Sequence, residues 1–136
     1  MASAPVIAAF EARLQLWPNL AACPLVDLNE VSPVDKPPYL KIEWPVAVEE
    51  RVSVGSPAVF RERGGARFII TTTTHQKGWK TEVLGWVEEL RDLFRAREFG
   101  GVVTDEASPA VLDNRNREGT KFHVPFVVAF TFDALK

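Results

Sequence analysis

The segment from Thr120 to Phe132 is the feature that most constrains how this chain can fold. Apolar side chains recur there at every second position, which is the pattern of a strand with one buried face. Thirteen extended residues span roughly 40 Å, whereas a domain of 136 residues has a radius of gyration of about 14 Å. We therefore predict a strand that runs the full length of the molecule. Its buried face is predicted to carry Phe122, Val124, Phe126, Val128, Phe130 and Phe132.

The opposite face of this strand leads us to expect self-association. Pro125 cannot donate a backbone hydrogen bond, so it belongs at a sheet edge or a bulge. The stretch 126–130 is nevertheless apolar on both faces, and an open edge of that kind would be a template for aggregation. Two helices are few to cover both faces of a sheet, so we predict an obligate homo-oligomer whose copies cover one another. The predicted interface residues are Pro125, Phe126, Val127, Ala129 and Phe130.

Two helices are predicted from the 3.6-residue period of their apolar positions. The first is capped by Ser3, has Pro5 in its first turn and ends at Leu16 or Trp17, before Pro18. The second spans roughly residues 78–98, and Gly100-Gly101 is predicted to stop it. Its apolar face is predicted to carry Trp79, Val83, Trp86, Val87, Leu90, Leu93 and Phe94.

Short alternating or β-branched runs predict the remaining strands. Five of the ten prolines fall in residues 18–38, which predicts a long proline-rich loop. Pro45 is predicted to limit the first strand or to place it at an edge, and Phe60–Ala66 to form a hairpin loop around two glycines. The predicted strands are Leu40–Trp44, a second within Val46–Val59 with a bend at Gly55–Pro57, Arg67–Thr74, one starting at Val102–Thr104, Pro109–Leu112 and Thr120–Phe132.

These elements predict one α+β domain over residues 1–136. Its expected architecture is a mixed, mainly antiparallel sheet of about five or six strands packed against one long helix, plus an N-terminal helix and the proline-rich loop. The net charge of −2 excludes a strongly basic nucleic-acid binder. Cys23 is the only cysteine, so no internal disulfide is possible. The sequence lacks both a membrane-spanning apolar run and the start of a signal peptide, and we expect a protein made in the cytoplasm.

Residue chemistry offers no catalytic site. His75, His123 and Cys23 show no signature of a nucleophile with its base, and no pair has the spacing of metal ligands. We therefore expect no enzymatic activity, cofactor or metal. Two arginine groups are candidates for a functional role. Exposed turns often carry arginine for solubility alone, but such groups can also contact an acidic partner surface or DNA that passes close by. They are Arg61, Arg63 and Arg67, expected to flank one loop, and Arg115 and Arg117, in the polar turn Asp113–Gly119.

Several pieces of the chain resemble a known family when they are taken in order. They are Phe10–Leu14, Pro38–Ile42, Glu50–Gly55, Arg63-Gly64 leading to Thr74, Gly78-Trp79 opening a helix with Phe94 near its end, and Val124–Phe130. This order resembles the tail terminator (tail-completion) proteins of long-tailed bacteriophages and of phage-like gene transfer agents.

The resemblance implies a non-enzymatic ring, expected to be a hexamer, in the tail of a virion or phage-like particle assembled in the host cytoplasm. Such a ring caps the head-proximal end of the tail tube, ends the addition of tail tube protein and offers a surface to a head-completion or stopper protein. DNA passing through the lumen would favour a few loop arginines. Two alternatives stay open: a neighbouring head–tail connector or minor tail component, and an oligomeric α+β domain that binds a small ligand.

Overall fold

Two helices and an antiparallel sheet make up the described part of the chain. The structure, a computed structural model, describes residues 2–26, 38–73, 77–113 and 117–136. The helices are α1 (Ala4–Leu14) and α2 (Trp79–Phe94). The strands are β1 (Tyr39–Arg51), β2 (Val59–Thr73), β3 (Glu98–Phe99), β4 (Val102–Ala107), β5 (Arg117–Glu118) and β6 (Lys121–Leu135).

The sheet order is β1-β2-β6-β4-β3, with β5 pairing with β6 off this path, and every pairing is antiparallel. The predicted class, α+β with a mainly antiparallel sheet, is confirmed. The expectation of an edge position for the long C-terminal strand is wrong, because β6 pairs with β2 on one side and with β4 on the other. Its length is as expected, since β6 pairs with β2 over fifteen consecutive positions from Lys121 to Leu135.

Pro125 is tolerated inside the sheet because β4 no longer runs beside it. The N–H and C=O of Val127 bond to the hydroxyl and N–H of Ser108, just past the end of β4. The backbone groups of Pro125 point to the same side, two residues along, and its carbonyl accepts from the N–H of Val111. The N–H that proline lacks would therefore face an irregular segment. The predicted strand Pro109–Leu112 forms that segment and is not a strand.

Both helices pack on one face of the sheet, and the core lies between them and it. Phe10 of α1 stacks on Phe94 of α2, with ring centroids 5.4 Å apart, and it meets Phe130 of β6 edge-on at 5.7 Å. The alternation predicted for β6 is confirmed, since Phe122, Val124, Phe126, Val128 and Phe130 are all buried and Phe132 packs against them in part.

The prediction of a hairpin loop at Phe60–Ala66 is wrong, because this stretch lies within β2. The turn between β1 and β2 is formed by residues 52–58. The two glycines are required by close packing: a Cβ on Gly64 would clash with the carbonyl oxygen of Val46 and lie 3.0 Å from the Phe130 ring. The sheet register shifts opposite them, between Glu43 and Val46. Pro45 lies in this bulge and does not limit β1. The alternative prediction, that the strand with Pro45 lies at an edge of the sheet, is confirmed, because β1 is the first strand in the sheet order.

Helix α2 ends at Phe94, earlier than predicted, and Gly100-Gly101 does not stop it. These glycines have φ of 56° and 83° and form the two-residue turn between β3 and β4. The helix ends instead where Ala96 adopts a left-handed φ of 49°.

The predicted proline-rich loop is described only in part, since residues 27–37 lie outside the described residues. Before them, Leu25 bridges to Leu40 at the edge of β1.

Candidate interaction surface

The face of the sheet turned away from both helices is the candidate functional surface, and we call it the outer face. The described helices leave this face open because both lie on the other side. Strand alternation fixes which side chains it carries, and the valines among them are conspicuously exposed. Val127 in the centre of β6 is 39% exposed, although it belongs to an interior strand. The other exposed valines of the outer face are Val46, Val48 and Val103.

The five predicted interface residues divide between the two faces. Phe126 and Phe130 are only 1% and 2% exposed in a single chain. Their assignment to an oligomer interface is wrong, because they already fill the core beneath the helices. The other three, Pro125, Val127 and Ala129, alternate with them and lie on the outer face, where their role in an interface stays a prediction.

Three of the predicted arginines also lie on the outer face. Arg61, Arg63 and Arg67 do not flank a loop, because they occupy alternate positions of β2. Each forms an ion pair with a carboxylate on a neighbouring strand: Arg61 Nε with Asp133 Oδ1 at 2.8 Å, Arg63 with Glu50 at 3.2 Å and Arg67 with Glu43 at 3.7 Å.

These ion pairs determine the electrostatics of the outer face. Asp133 accepts two hydrogen bonds from the guanidinium of Arg61, at 2.8 and 3.0 Å. Hydrogen bonding to Arg61 and its positive charge lower the pKa of the Asp133 carboxyl. Hydrogen bonding to Asp133 and its negative charge raise the pKa of Arg61 in return. Because each of these three arginines faces a carboxylate, the six side chains together are close to neutral and do not form a basic patch.

The two predicted arginine groups are not brought together. Arg117 lies in β5, where it pairs with Phe122 and donates from Nε to the carbonyl of Gly119 at 3.1 Å. Arg61 pairs with Asp133, at the far end of β6. Arg115 lies outside the described residues.

Two depressions open on the outer face. The first encloses about 290 Å³, and within it the Thr71 hydroxyl and His123 Nδ1 are 2.8 Å apart. The second, which we call the apolar hollow, encloses about 460 Å³ beside β6, with Val127 and Ala129 among the residues that line it. The first is lined by Tyr39, Lys41, Glu43, Arg67, Ile69, Thr71, His123 and Pro125. The apolar hollow is lined by Glu106, Ala107, Ser108, Pro109, Val127 and Ala129.

Sequence reasoning missed the tip loop, by which we mean residues 52–58 between β1 and β2. This loop presents Val54, which is 98% exposed and thus in contact with almost nothing. The signal was present in the sequence, since valines flank a Gly-Ser-Pro bend at Gly55–Pro57. From the sequence alone, these residues predict only a bend within a stretch that holds a strand.

Within the described residues, no group of three or more histidine, cysteine, aspartate or glutamate side chains is placed to hold a metal ion. Burial raises the pKa of the Cys23 thiol to about 12, and Glu82 adds to the shift. A thiol in that state is a poor nucleophile. Of the described helices, none combines the length and the apolar character needed to span a membrane.

The comparisons with known proteins establish the fold and nothing finer. The sequence matches no protein-family model and no curated protein at a significant level. Nine chains of solved structures match it. One of them, whose name carries no functional description, is similar over 96% of this chain and 95% of its own, with a TM-score of 0.60 and 20% sequence identity.

Proposed function

We propose that this chain is a non-enzymatic structural protein of a phage or phage-like particle and acts as its tail terminator. Copies form a ring, expected to be a hexamer, at the head-proximal end of the tail tube. The proposal is supported by the order of sequence elements that resembles the tail terminator proteins. The α+β fold is consistent with it.

The observation that carries the self-association is the open outer face. Val127, Val46 and Val48 expose apolar surface there, and ion pairs neutralise the charges beside them. Apolar surface of this kind is favourably removed from water when another molecule covers it. Identical copies that meet through two different patches close into a ring when the rotation between them allows it.

The mechanism of a terminator is one of complementary surfaces, so it needs no reacting group. One face of the ring would match the last ring of tail tube protein and block further addition, while the other would bind the head-completion or stopper protein. Any contact with DNA in the lumen by Arg61, Arg63 or Arg67 would require each to exchange its carboxylate for a phosphate. Such an exchange replaces one ion pair with another, and salt weakens the contact with the phosphate.

Imaging of the purified protein in negative stain tests the proposal. We expect rings with a central hole, whereas uniform compact particles of one or two copies would contradict it.

Deletion of the gene distinguishes a terminator from a neighbouring connector or minor tail component. Loss of a terminator gives tails of uncontrolled length, whereas loss of a connector gives tails of normal length that fail to join heads.

A second candidate function is suggested by the polar depression around His123. Lys41, Arg67, Thr71 and His123 converge there on about 290 Å³, close to the lower size of a ligand pocket. Lys41 and Arg67 carry positive charges there, and Glu43, the ion-pair partner of Arg67, also lines the depression. A small anionic ligand would suit it if the ligand took the place of Glu43 beside Arg67. A rise in the melting temperature with a small carboxylate or phosphate compound, lost in Arg67→Ala, would favour this function; no shift across such compounds would count against it.

A further inference from the structure

The tip loop is held in one shape by its own polar contacts. Arg51 donates from Nε to the carbonyl of Ser53 at 2.9 Å and from its terminal nitrogen to the carbonyl of Gly55 at 2.7 Å. The Ser53 hydroxyl accepts from the N–H of Val59 at 2.7 Å. Ala58 exchanges two backbone hydrogen bonds, of 2.8 and 2.9 Å, with Lys136. The loop is therefore tied to both strands and to the C-terminal end of β6.

This braced loop presents apolar side chains to solvent at its end. Val54 is almost fully exposed, and Val52 is exposed beside it. A single exposed valine is ordinary on a protein surface. Here the valine stands on a loop whose conformation is already fixed, so binding through it would cost little ordering entropy.

The apolar hollow has the chemistry that such a tip would fit. Val127 and Ala129 of β6 line it on one side, and Pro109 lines it from the segment after β4. The exposed Glu106 also borders it. Its volume of about 460 Å³ leaves room for more than one valine side chain. The tip brings the cationic Arg51 beside its valines, so the charges of tip and hollow are complementary.

The tip of one chain cannot fill the hollow of the same chain. Phe60, two residues past the tip loop, pairs with Ala134, while the hollow lies beside Ala129, which pairs with Gly65. Five residues of strand separate these positions, which is roughly 17 Å. The hydrogen bonds of the loop also hold it at the end of the sheet.

We propose that the tip loop of one copy inserts Val54 into the apolar hollow of the next copy, with Arg51 facing Glu106. The occupant of the hollow is thus a second copy of this chain. Because tip and hollow are different patches, the contact is heterologous and passes from copy to copy around a ring. The inference rests on the self-association in the proposed function and specifies the contact that produces it.

Cysteine cross-linking tests the contact directly. Val54→Cys and Pro109→Cys alter exposed side chains, and the native Cys23 is buried, so the unmodified chain serves as the background control. Under mild oxidation the double variant is expected to give a ladder of cross-linked species that ends at the number of copies in the ring. A mixture of the two single variants is expected to give dimers only.

Two outcomes of the cross-linking would overturn the inference. Dimers formed by Val54→Cys alone would mean that tip meets tip. No cross-linking in the double variant, while the unmodified chain is still oligomeric, would overturn the tip contact and leave the proposed function standing. An unmodified chain found only at 15.2 kDa would contradict both.

A charge variant gives a second readout that does not depend on oxidation. Val54→Asp is expected to shift the assembly to single chains of 15.2 kDa while the melting temperature of the monomer fold is retained, because Val54 packs against nothing. The matched control is Leu16→Asp, an exposed apolar residue just after α1 that is 64% exposed, which is expected to leave the assembly intact. Equal assembly in both variants would contradict the inference.

Discussion

The Thr104 hydroxyl lies where α2 ends, and its contacts explain how the chain leaves the helix. This hydroxyl donates to the carbonyl of Phe94 and accepts from the N–H of Arg97 at 2.9 Å, and the side chain is buried. It thereby satisfies the Phe94 carbonyl, one of those that the C-terminal end of a helix leaves without a partner, and it also gives the Arg97 N–H an acceptor. Thr104→Val keeps the shape but removes both bonds, and we expect it to lower the free energy of unfolding by about 1–3 kcal/mol.

Chemical denaturation of the Thr104 variant measures this loss, and Thr104→Ser is the control because it retains the hydroxyl. If the valine variant were as stable as the serine variant, the hydroxyl would not cap the helix.

Cys23 gives a residue-scale prediction about pH. Burial holds its pKa at about 12, above the ordinary value of 9.0, so the folded chain keeps the proton that an unfolded chain releases. The stability from this group is therefore complete below pH 9 and is lost as the pH rises from there towards 12. We expect Cys23 to resist a thiol reagent at pH 8 in the folded protein and to react on unfolding. Rapid labelling of the folded protein would contradict the buried position.

Two glycines test the packing at the scale of the elements. Gly64→Ala would place a methyl group against the Phe130 ring and the Val46 carbonyl, and we expect it to destabilise the fold by roughly 1–3 kcal/mol. Gly85 in α2 has nothing within 4 Å of an added Cβ, so Gly85→Ala is expected to stabilise by roughly 0.5–1 kcal/mol. Thermal unfolding of the two variants measures both changes in stability, which are expected to have opposite signs. An equal effect of both substitutions would contradict the described packing.

Elements with a clean local period could be predicted from the sequence, because a period reports directly on one buried side. The alternation of β6 and the apolar stripe of α2 are examples. The two glycines at 64 and 65 gave the wrong prediction of a hairpin loop, because a glycine can indicate either a turn or a close approach of another group. Only the position of the Phe130 ring decides between the two. The interior position of β6 could not be predicted, since strand partners are set by contacts far apart in sequence.

At the scale of the whole molecule, the sequence indicated correctly that residues 126–130 of β6 are apolar on both faces. It could not say which face the helices cover, so Phe126 and Phe130 were assigned to an interface although they belong to the core. Val127 and Ala129 fall on the outer face and line the apolar hollow. The tip loop was missed because its importance depends on a bracing network that includes Lys136, more than 70 residues away in sequence.

The mass of the native protein in solution tests the central claim, that copies of this chain cover one another through the outer face. Light scattering on a size-exclusion column at micromolar concentration measures it without any variant or label. We expect a single species of several copies, six in the proposed ring, each of 15.2 kDa. A monodisperse species of 15.2 kDa at that concentration would contradict the claim.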